Sequence, residues 1–227
     1  MADTLKSSRS GGFGVQSHAD AAMESAPPIV FVLDDDPGVR EALSSLLSSA
    51  GLHVRAFASA AEFQKANLAN SASCLVLDLQ LPDINGLDLQ RELAATDGPP
   101  IVFISGHGDI PTSVRAMKAG AIEFLPKPFS DLELLAAVDS AIAKDRGARR
   151  SRADLAELRK SYARLSGRER EVLPLIVAGL TNKYTAAKLG IAEITVQVHR
   201  AQIMRKMAAP SLPDLVRMAG KLRIFSL

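Results

Sequence analysis

Residues 74–89 read CLVLDLQLPDINGLDL. Four apolar residues, Cys74 to Leu77, run straight into the carboxylate Asp78, and a Pro-Asp pair and a glycine punctuate the residues after it. A short apolar run bounded by turn signals reads as a strand buried on both faces. A charge at the end of such a strand is costly unless something compensates it. The role of Asp78 therefore depends on what the rest of the chain brings beside it.

The same punctuation recurs on both sides of this stretch. Short apolar runs occur at IVFVL (29–33), HVRAF (53–57), IVFI (101–104) and IEFL (122–125). Between them lie segments such as VREALSSLLSSAG, LDLQRELAAT and PTSVRAMKAG, which space apolar residues at three and four and often end in Gly. Five strands alternating with five helices predict an α/β fold, a doubly wound sheet whose strands are parallel because each crossover is a helix. Ligands of such sheets bind at the carboxyl ends of the strands, where strand order reverses.

Those ends carry Asp34-Asp35-Asp36, Asp78, Ser105 and Lys127-Pro128. Converging carboxylates repel one another, and the remedies are a hard divalent cation, a lysine or protonation. Mg2+ suits the set because it takes oxygen ligands, keeps several waters and is commonly shared with a phosphoryl group. Serine and lysine add a hydroxyl donor and a point charge for phosphoryl oxygens. Taken singly, each residue has a plain alternative: the acidic triplet as a helix N-terminal cluster, Asp78 as a loop cap, Ser105 as a turn residue, Lys127 as a solvated charge. Their occurrence together at four strand ends is what favours a site.

At 227 residues the chain has room for two domains. Its one cysteine, Cys74, excludes an intrachain disulfide framework and fits a reducing, cytoplasmic setting. No segment has the length and apolarity of a signal peptide or membrane span, so no membrane partner is expected. Residues 1–27, rich in Ser, Ala and Gly, read as a disordered tail. The net charge of +2 conceals a division: residues 1–142 hold 9 Lys/Arg against 18 Asp/Glu, a balance of −9, whereas residues 143–227 hold 18 against 7, a balance of +11. An acidic module joined to a basic one points to a polyanion, most often nucleic acid, as partner of the second half.

The alternation stops after residue 144. Residues 145–164 space Leu155, Leu158 and Tyr162 at three and four without a strand signal and predict an exposed, basic helical linker. From 165 to 227 the chain reads as an all-α four-helix unit, in which Gly190 makes the short turn of a helix-turn-helix. Its second helix, 193–207, is expected to enter the major groove, burying Ile194, Val198 and Ile203 and presenting Thr195, Gln197, Arg200, Arg205 and Lys206, with Val198 also counted among the DNA contacts. Gln can pair with adenine and Arg with guanine, while Lys183 and Lys206 are expected to meet phosphates. A generic helical bundle is the alternative.

The motifs VFVLDDDPGVR, VLDLQLPDINGLDL, IVFISGHGDIP and AMKAGAIEFLPKPF resemble the receiver domain of two-component response regulators, over residues 28–144. The resemblance implies a flavodoxin-like sheet with Asp78 as phosphoacceptor. It implies Mg2+ held directly by Asp35, Asp78 and the carbonyl of Gln80, with Asp34 acting through water. Ser105 and Lys127 would grip the phosphoryl oxygens, Phe124 would occupy the aromatic switch position, and the bond to Pro128 is often cis in this family. Gln80 and His107, each two residues past a site residue, are candidate modulators of phosphoryl lifetime.

The second half resembles the LuxR-type effector domain of the NarL/FixJ class, most closely its FixJ-like subgroup of nitrogen-fixation, nodulation and aromatic-catabolism regulators. Three departures stand out: Gln197 where many members have Lys or Glu, Ala192 where a capping Ser is common, and Pro174 inside an otherwise helical segment, where it should kink the helix or delay its start. Together the resemblances imply a transcriptional regulator rather than an enzyme. A sensor histidine kinase would phosphorylate it, and it would then dimerise, bind double-stranded promoter DNA and engage RNA polymerase, with activation the expected output. The acidic receiver is expected to mask the basic effector before phosphorylation. A haloacid-dehalogenase-like phosphatase using Asp34, Asp36, Ser105 and Lys127 leaves Asp78 without a role. An autoinducer-binding regulator gives no reason for the acidic and lysine constellation.

Overall fold

A computed structural model of the chain describes residues 27–66, 71–106 and 110–224. The expected tail, apart from Pro27, and His107 lie outside the described residues. The chain divides into two compact units, Met1–Gly147 and Ala148–Leu227.

In the first unit, strands β1 (Ile29–Leu33), β2 (His53–Phe57), β3 (Ser73–Asp78), β4 (Ile101–Ser105) and β5 (Glu123–Pro126) alternate with helices α1 (Pro37–Ser49), α2 (Ala60–Lys65), α3 (Gly86–Ala95), α4 (Ile110–Lys118) and α5, which begins at Asp131. All strand pairs are parallel, in the order β2-β1-β3-β4-β5. Because side chains alternate along a strand, each central strand feeds two cores. Val30, Val32, Cys74, Val76, Val102 and Ile104 pack with Leu43 and Leu47 of α1 and Leu134 and Val138 of α5. Phe31, Leu33, Leu75, Leu77 and Phe103 pack on the other side with Phe63, Leu89 and Ala116 of α2, α3 and α4. Every residue of β3 is buried, as its unbroken apolar run requires.

The start of β3 is anchored by a residue that sequence reading passes over. Asp145, 3 % exposed, accepts hydrogen bonds from the Ser73 backbone N–H (2.8 Å) and hydroxyl (3.2 Å). The expected boundary at 144/145 is no break in the helix: α5 runs as one helix from Asp131 to Ala163. Its second half is the helix that the spacing of Leu155, Leu158 and Tyr162 predicts, exposed on most faces, with Leu158 buried and Tyr162 half-buried against the core of the second unit. Their three- and four-residue spacing gives α5 an apolar stripe there, and the stripe packs.

That unit continues with α6 (Gly167–Val177), α7 (Asn182–Leu189), α8 (Glu193–Lys206) and α9 (Leu212–Lys221), around Val172, Leu173, Ile176, Val196, Ile203 and Leu215. Pro174 does not delay α6. A capping box fixes the start upstream: Glu169 N–H donates to Ser166 Oγ, and Ser166 N–H donates to Glu169 Oε2 at 2.6 Å. The helix continues through the proline to Val177, with Leu173, Leu175 and Ile176 buried around it. Gly190 closes α7 in the left-handed conformation, φ 65°, where a side chain would be strained. Ala192 stands at the N-cap of α8 without a side-chain hydrogen bond, an omission worth about 1 kcal/mol.

Candidate functional site

Register alone brings the two central carboxylates together. Leu33 of β1 is paired with Leu77 of β3, so the next residues, Asp34 and Asp78, emerge side by side at the carboxyl edge. Both are buried, Asp34 almost completely. Lys127, just beyond β5, donates from Nζ to Asp34 Oδ2 at 2.8 Å and to Asp78 Oδ1 at 3.3 Å. Its backbone N–H donates to the Ser105 carbonyl at 2.7 Å, which ties the lysine's loop to the end of β4. Ser105 itself is buried beside this edge, and the Lys127–Pro128 bond is cis.

The electrostatics follow from this packing. Burial raises the Asp78 carboxyl above its usual range, the charge of Asp34 adds to the rise, and Lys127 opposes it. Burial acts to lower the Lys127 ammonium, but hydrogen bonds and charges from Asp34 and Asp78 outweigh it and raise it. Two carboxylates thus share one lysine, leaving a surplus of negative charge.

The acidic turn is held by further bonds. Asp34 Oδ1 accepts the Asp36 N–H at 2.9 Å. Arg40 donates from Nη1 to the carbonyls of Asp34 and Asp35, both at 2.8 Å. Arg40 belongs to the quoted VFVLDDDPGVR motif, but its role in clamping the turn is visible only in three dimensions. Asp36 caps α1, accepting from Gly38 and Val39, so the helix-terminal reading holds for that member of the triplet. Asp35 is exposed.

The Pro-Asp-Gly punctuation after Asp78 has a matching account. Gln80, exposed, donates its N–H to Asp78 Oδ2 at 3.3 Å. Asp83 accepts from Ala61 N–H at 3.0 Å and so joins the loop to the start of α2. Asn85 caps α3, and Gly86 comes next, where only hydrogen fits: a Cβ there would lie 2.9 Å from the Asp78 carbonyl and 3.0 Å from the Phe103 ring. Phe124 is half-buried, its ring 6.1 Å from that of Phe103.

No three His, Cys, Asp or Glu side chains form a metal-holding cluster among the described residues. The donor chemistry nevertheless fits Mg2+, which takes one or two protein carboxylates and otherwise keeps water. Asp34 and Asp78 supply converging hard oxygens with uncompensated charge.

In the second unit, the helix-turn-helix consists of α7, the three residues Gly190 to Ala192, and α8. Gln197, Val198 and Arg205 are exposed on α8, Thr195 and Arg200 are half-buried, and Lys183 is exposed on α7. Two expectations need correction. Ile194 and Val198 are not buried but 65 % and 53 % exposed; the core face consists of Val196, Ile203 and Met207, spaced by seven and four. Lys206 does not stand free for phosphate. Its Nζ donates to both oxygens of the buried Glu169 carboxylate, at 2.9 and 2.7 Å. Burial alone would raise Glu169, but Lys206 and the Ser166 N–H outweigh it and hold the carboxyl below its usual range.

Comparison with known proteins agrees with both units. Residues 30–139 match the response regulator receiver domain, and residues 163–219 match the bacterial regulatory proteins of the luxR family. The chain is 48 % identical to nodulation protein W of Bradyrhizobium diazoefficiens, over 93 % of its own length and 92 % of the relative's. It is 46 % identical to transcriptional regulatory protein FixJ of Azorhizobium caulinodans, over 86 % and 92 %. The solved structure of response regulator StyR superposes with a TM-score of 0.77 at 49 % identity, covering 86 % of this chain and all of that one. The fold and the matches define a two-component response regulator with receiver and DNA-binding helix-turn-helix domains. Within that class, the chain belongs to the family that joins a receiver to a LuxR-type effector, alongside FixJ and nodulation protein W.

Proposed function

We propose that Asp78 is the phosphoacceptor and that its modification switches promoter binding. The observation that carries this reading is the sharing of Lys127 between Asp34 and Asp78 at the carboxyl edge of β1 and β3. A sensor histidine kinase presents a phosphohistidine. An Asp78 carboxylate oxygen forms the new P–O bond as the donor's P–N bond breaks, and the imidazole leaves with the bonding pair. Mg2+ held by Asp35, Asp78 and the Gln80 carbonyl, with Asp34 acting through water, would neutralise charge on the transferring group. Lys127 turns from carboxylate to phosphoryl oxygen, Ser105 donates its hydroxyl to another, and Phe124 follows the movement of β4. The chain accepts a phosphoryl group and is a regulator, not an enzyme with a turned-over substrate.

The proposed readout is dimerisation through the α4–β5–α5 face of the receiver, residues 28–144. That face carries Ile110, Val114 and Met117 at spacings of four and three on α4, with Leu132 on α5, all exposed. Pairing places two effector domains, residues 165–227, on adjacent half-sites and multiplies their affinity. Thr195, Gln197, Val198, Arg200 and Arg205 meet the duplex and Lys183 a phosphate. Lys206 shapes the domain through Glu169. The protein then works in the cytoplasm on double-stranded promoter DNA and recruits RNA polymerase to activate transcription.

Comparing wild type with Asp78→Asn by sedimentation and by promoter-fragment binding, before and after incubation with a small phosphoryl donor, tests this. Donor-dependent dimerisation and tighter binding confined to wild type are expected. Equal dimerisation and binding by the variant would overturn the proposal.

A further inference from the structure

The outward face of α8 is apolar where a DNA-reading helix is ordinarily polar. Ile194, Val198, Ala201 and Arg205 succeed one another at four, three and four, so they form a single stripe opposite the core residues Val196, Ile203 and Met207. All four are exposed, Ile194 the most among the large apolar residues of this helix. Large apolar side chains facing water need an explanation when they form a stripe, and Ile194 lies near the N-terminal end of the helix. That end of a recognition helix meets base edges. Beside the stripe stands exposed Gln197, whose amide matches the N6 and N7 edge of adenine. The one arginine of the stripe, Arg205, is at the far end and hydrogen-bonded to Gln202 at 2.5 Å. Arg200 is half-buried on the flank nearer the core.

The occupant this surface fits is thymine. Its C5 methyl is the apolar feature of the major groove, and branched aliphatic groups complement it, whereas they gain nothing from the acceptors of guanine. Residues 148–227 hold 16 Lys/Arg against 6 Asp/Glu, so the unit as a whole complements a phosphate backbone while the Ile194, Val198 and Ala201 part of this stripe does not. We infer that Ile194, together with Val198, reads thymine methyl groups next to an adenine read by Gln197, so that each half-site carries A·T pairs at the positions these residues meet. Ile194 is then a specificity residue, although its helical phase in the sequence suggests the core. The inference rests on the DNA-binding role of α8 proposed above.

The test is selection of duplexes from a random pool by the full-length protein charged with acetyl phosphate and Mg2+, for wild type, Ile194→Ala and Ile194→Thr. Wild type should return an A·T pair at a fixed position in both half-sites. Ile194→Ala should lose preference there and keep it elsewhere, while Ile194→Thr, which retains one methyl, should keep part of it. Replacing that thymine by deoxyuridine should weaken wild type about fourfold, the effect of unburying one methyl at about 0.8 kcal/mol, and leave Ile194→Ala unchanged. The same consensus from all three proteins, or an equal response of wild type and Ile194→Ala to deoxyuridine, would overturn the inference and leave DNA binding intact. Recovery of no consensus by wild type would overturn the DNA-reading role of α8 and this inference with it.

Discussion

Lys127 lies closer to Asp34, at 2.8 Å, than to Asp78, at 3.3 Å. The more deeply buried carboxylate thus has the stronger hold on the lysine, and the proposed phosphoacceptor has the weaker one. Removing one partner of a buried pair leaves an uncompensated charge and costs about 3–5 kcal/mol; with Lys127 28 % exposed, the low end applies. Lys127→Met should lower receiver stability by about 3 kcal/mol in urea unfolding monitored by circular dichroism. Adding Asp34→Asn should restore part of the loss, because it removes the deeper and closer of the two carboxylates that Lys127 neutralises and leaves only Asp78. A double variant no more stable than the single would show that Asp34 is not what Lys127 neutralises.

The Glu169–Lys206 pair predicts the acid response of the second unit. Its folded carboxyl is held below the ordinary value, so the pair contributes stability that is full above the unfolded value of about 4.3. That contribution falls away as pH drops through the lower folded value. Both tyrosines, Tyr162 and Tyr184, lie in this unit and the chain has no tryptophan. Tyrosine fluorescence therefore reports on it selectively. Glu169→Gln should be less stable than wild type at neutral pH and show a shallower loss below about pH 4.3. Parallel acid limbs for the two proteins would contradict the assignment.

Gly86 should tolerate no side chain. Its Cβ would meet the backbone of Asp78 and Leu79 and the buried Phe103 ring, neither of which can swing aside. Gly86→Ala should cost about 1–3 kcal/mol as overpacking and slow phosphorylation of Asp78, because the displaced atoms belong to Asp78 and Leu79. Unaltered melting and phosphorylation would mean that the loop yields freely.

Gly147 is the opposite case. It sits inside α5, and a Cβ there would meet nothing within 4 Å. Gly147→Ala should stabilise the helix by about 0.5–1 kcal/mol, seen as a higher melting temperature. Destabilisation would reveal a close contact on that face.

The strands are legible in the sequence because residues such as Val76 and Leu77 are buried on opposite sheet faces, which leaves an apolar run with no ambiguity of phase. The strand-end acids and lysine are legible because parallel register places strand ends together. Helix α8 reads inside out: Ile194 and Val198 form an apolar series on one side, Val196 and Ile203 on the other, and periodicity cannot say which side meets the core. Arg40, Asp145 and the partner of Lys206 depend on contacts between residues distant in sequence or on the fold of a turn, and polar residues in a basic or acidic stretch give no signal of such pairing. The continuity of α5 past residue 144 is hidden because its surface changes from apolar to basic while its backbone does not.

The proposed switch stands or falls on Asp78 accepting a phosphoryl group with the help of Mg2+. The decisive measurement is intact mass spectrometry of wild type and Asp78→Asn after incubation with acetyl phosphate, with Mg2+ or with a chelator. Wild type with Mg2+ should gain one phosphoryl group, and the variant, or wild type under chelation, should gain none. An equal gain in Asp78→Asn, or no gain by wild type from either acetyl phosphate or a phosphorylated kinase, would refute the switch.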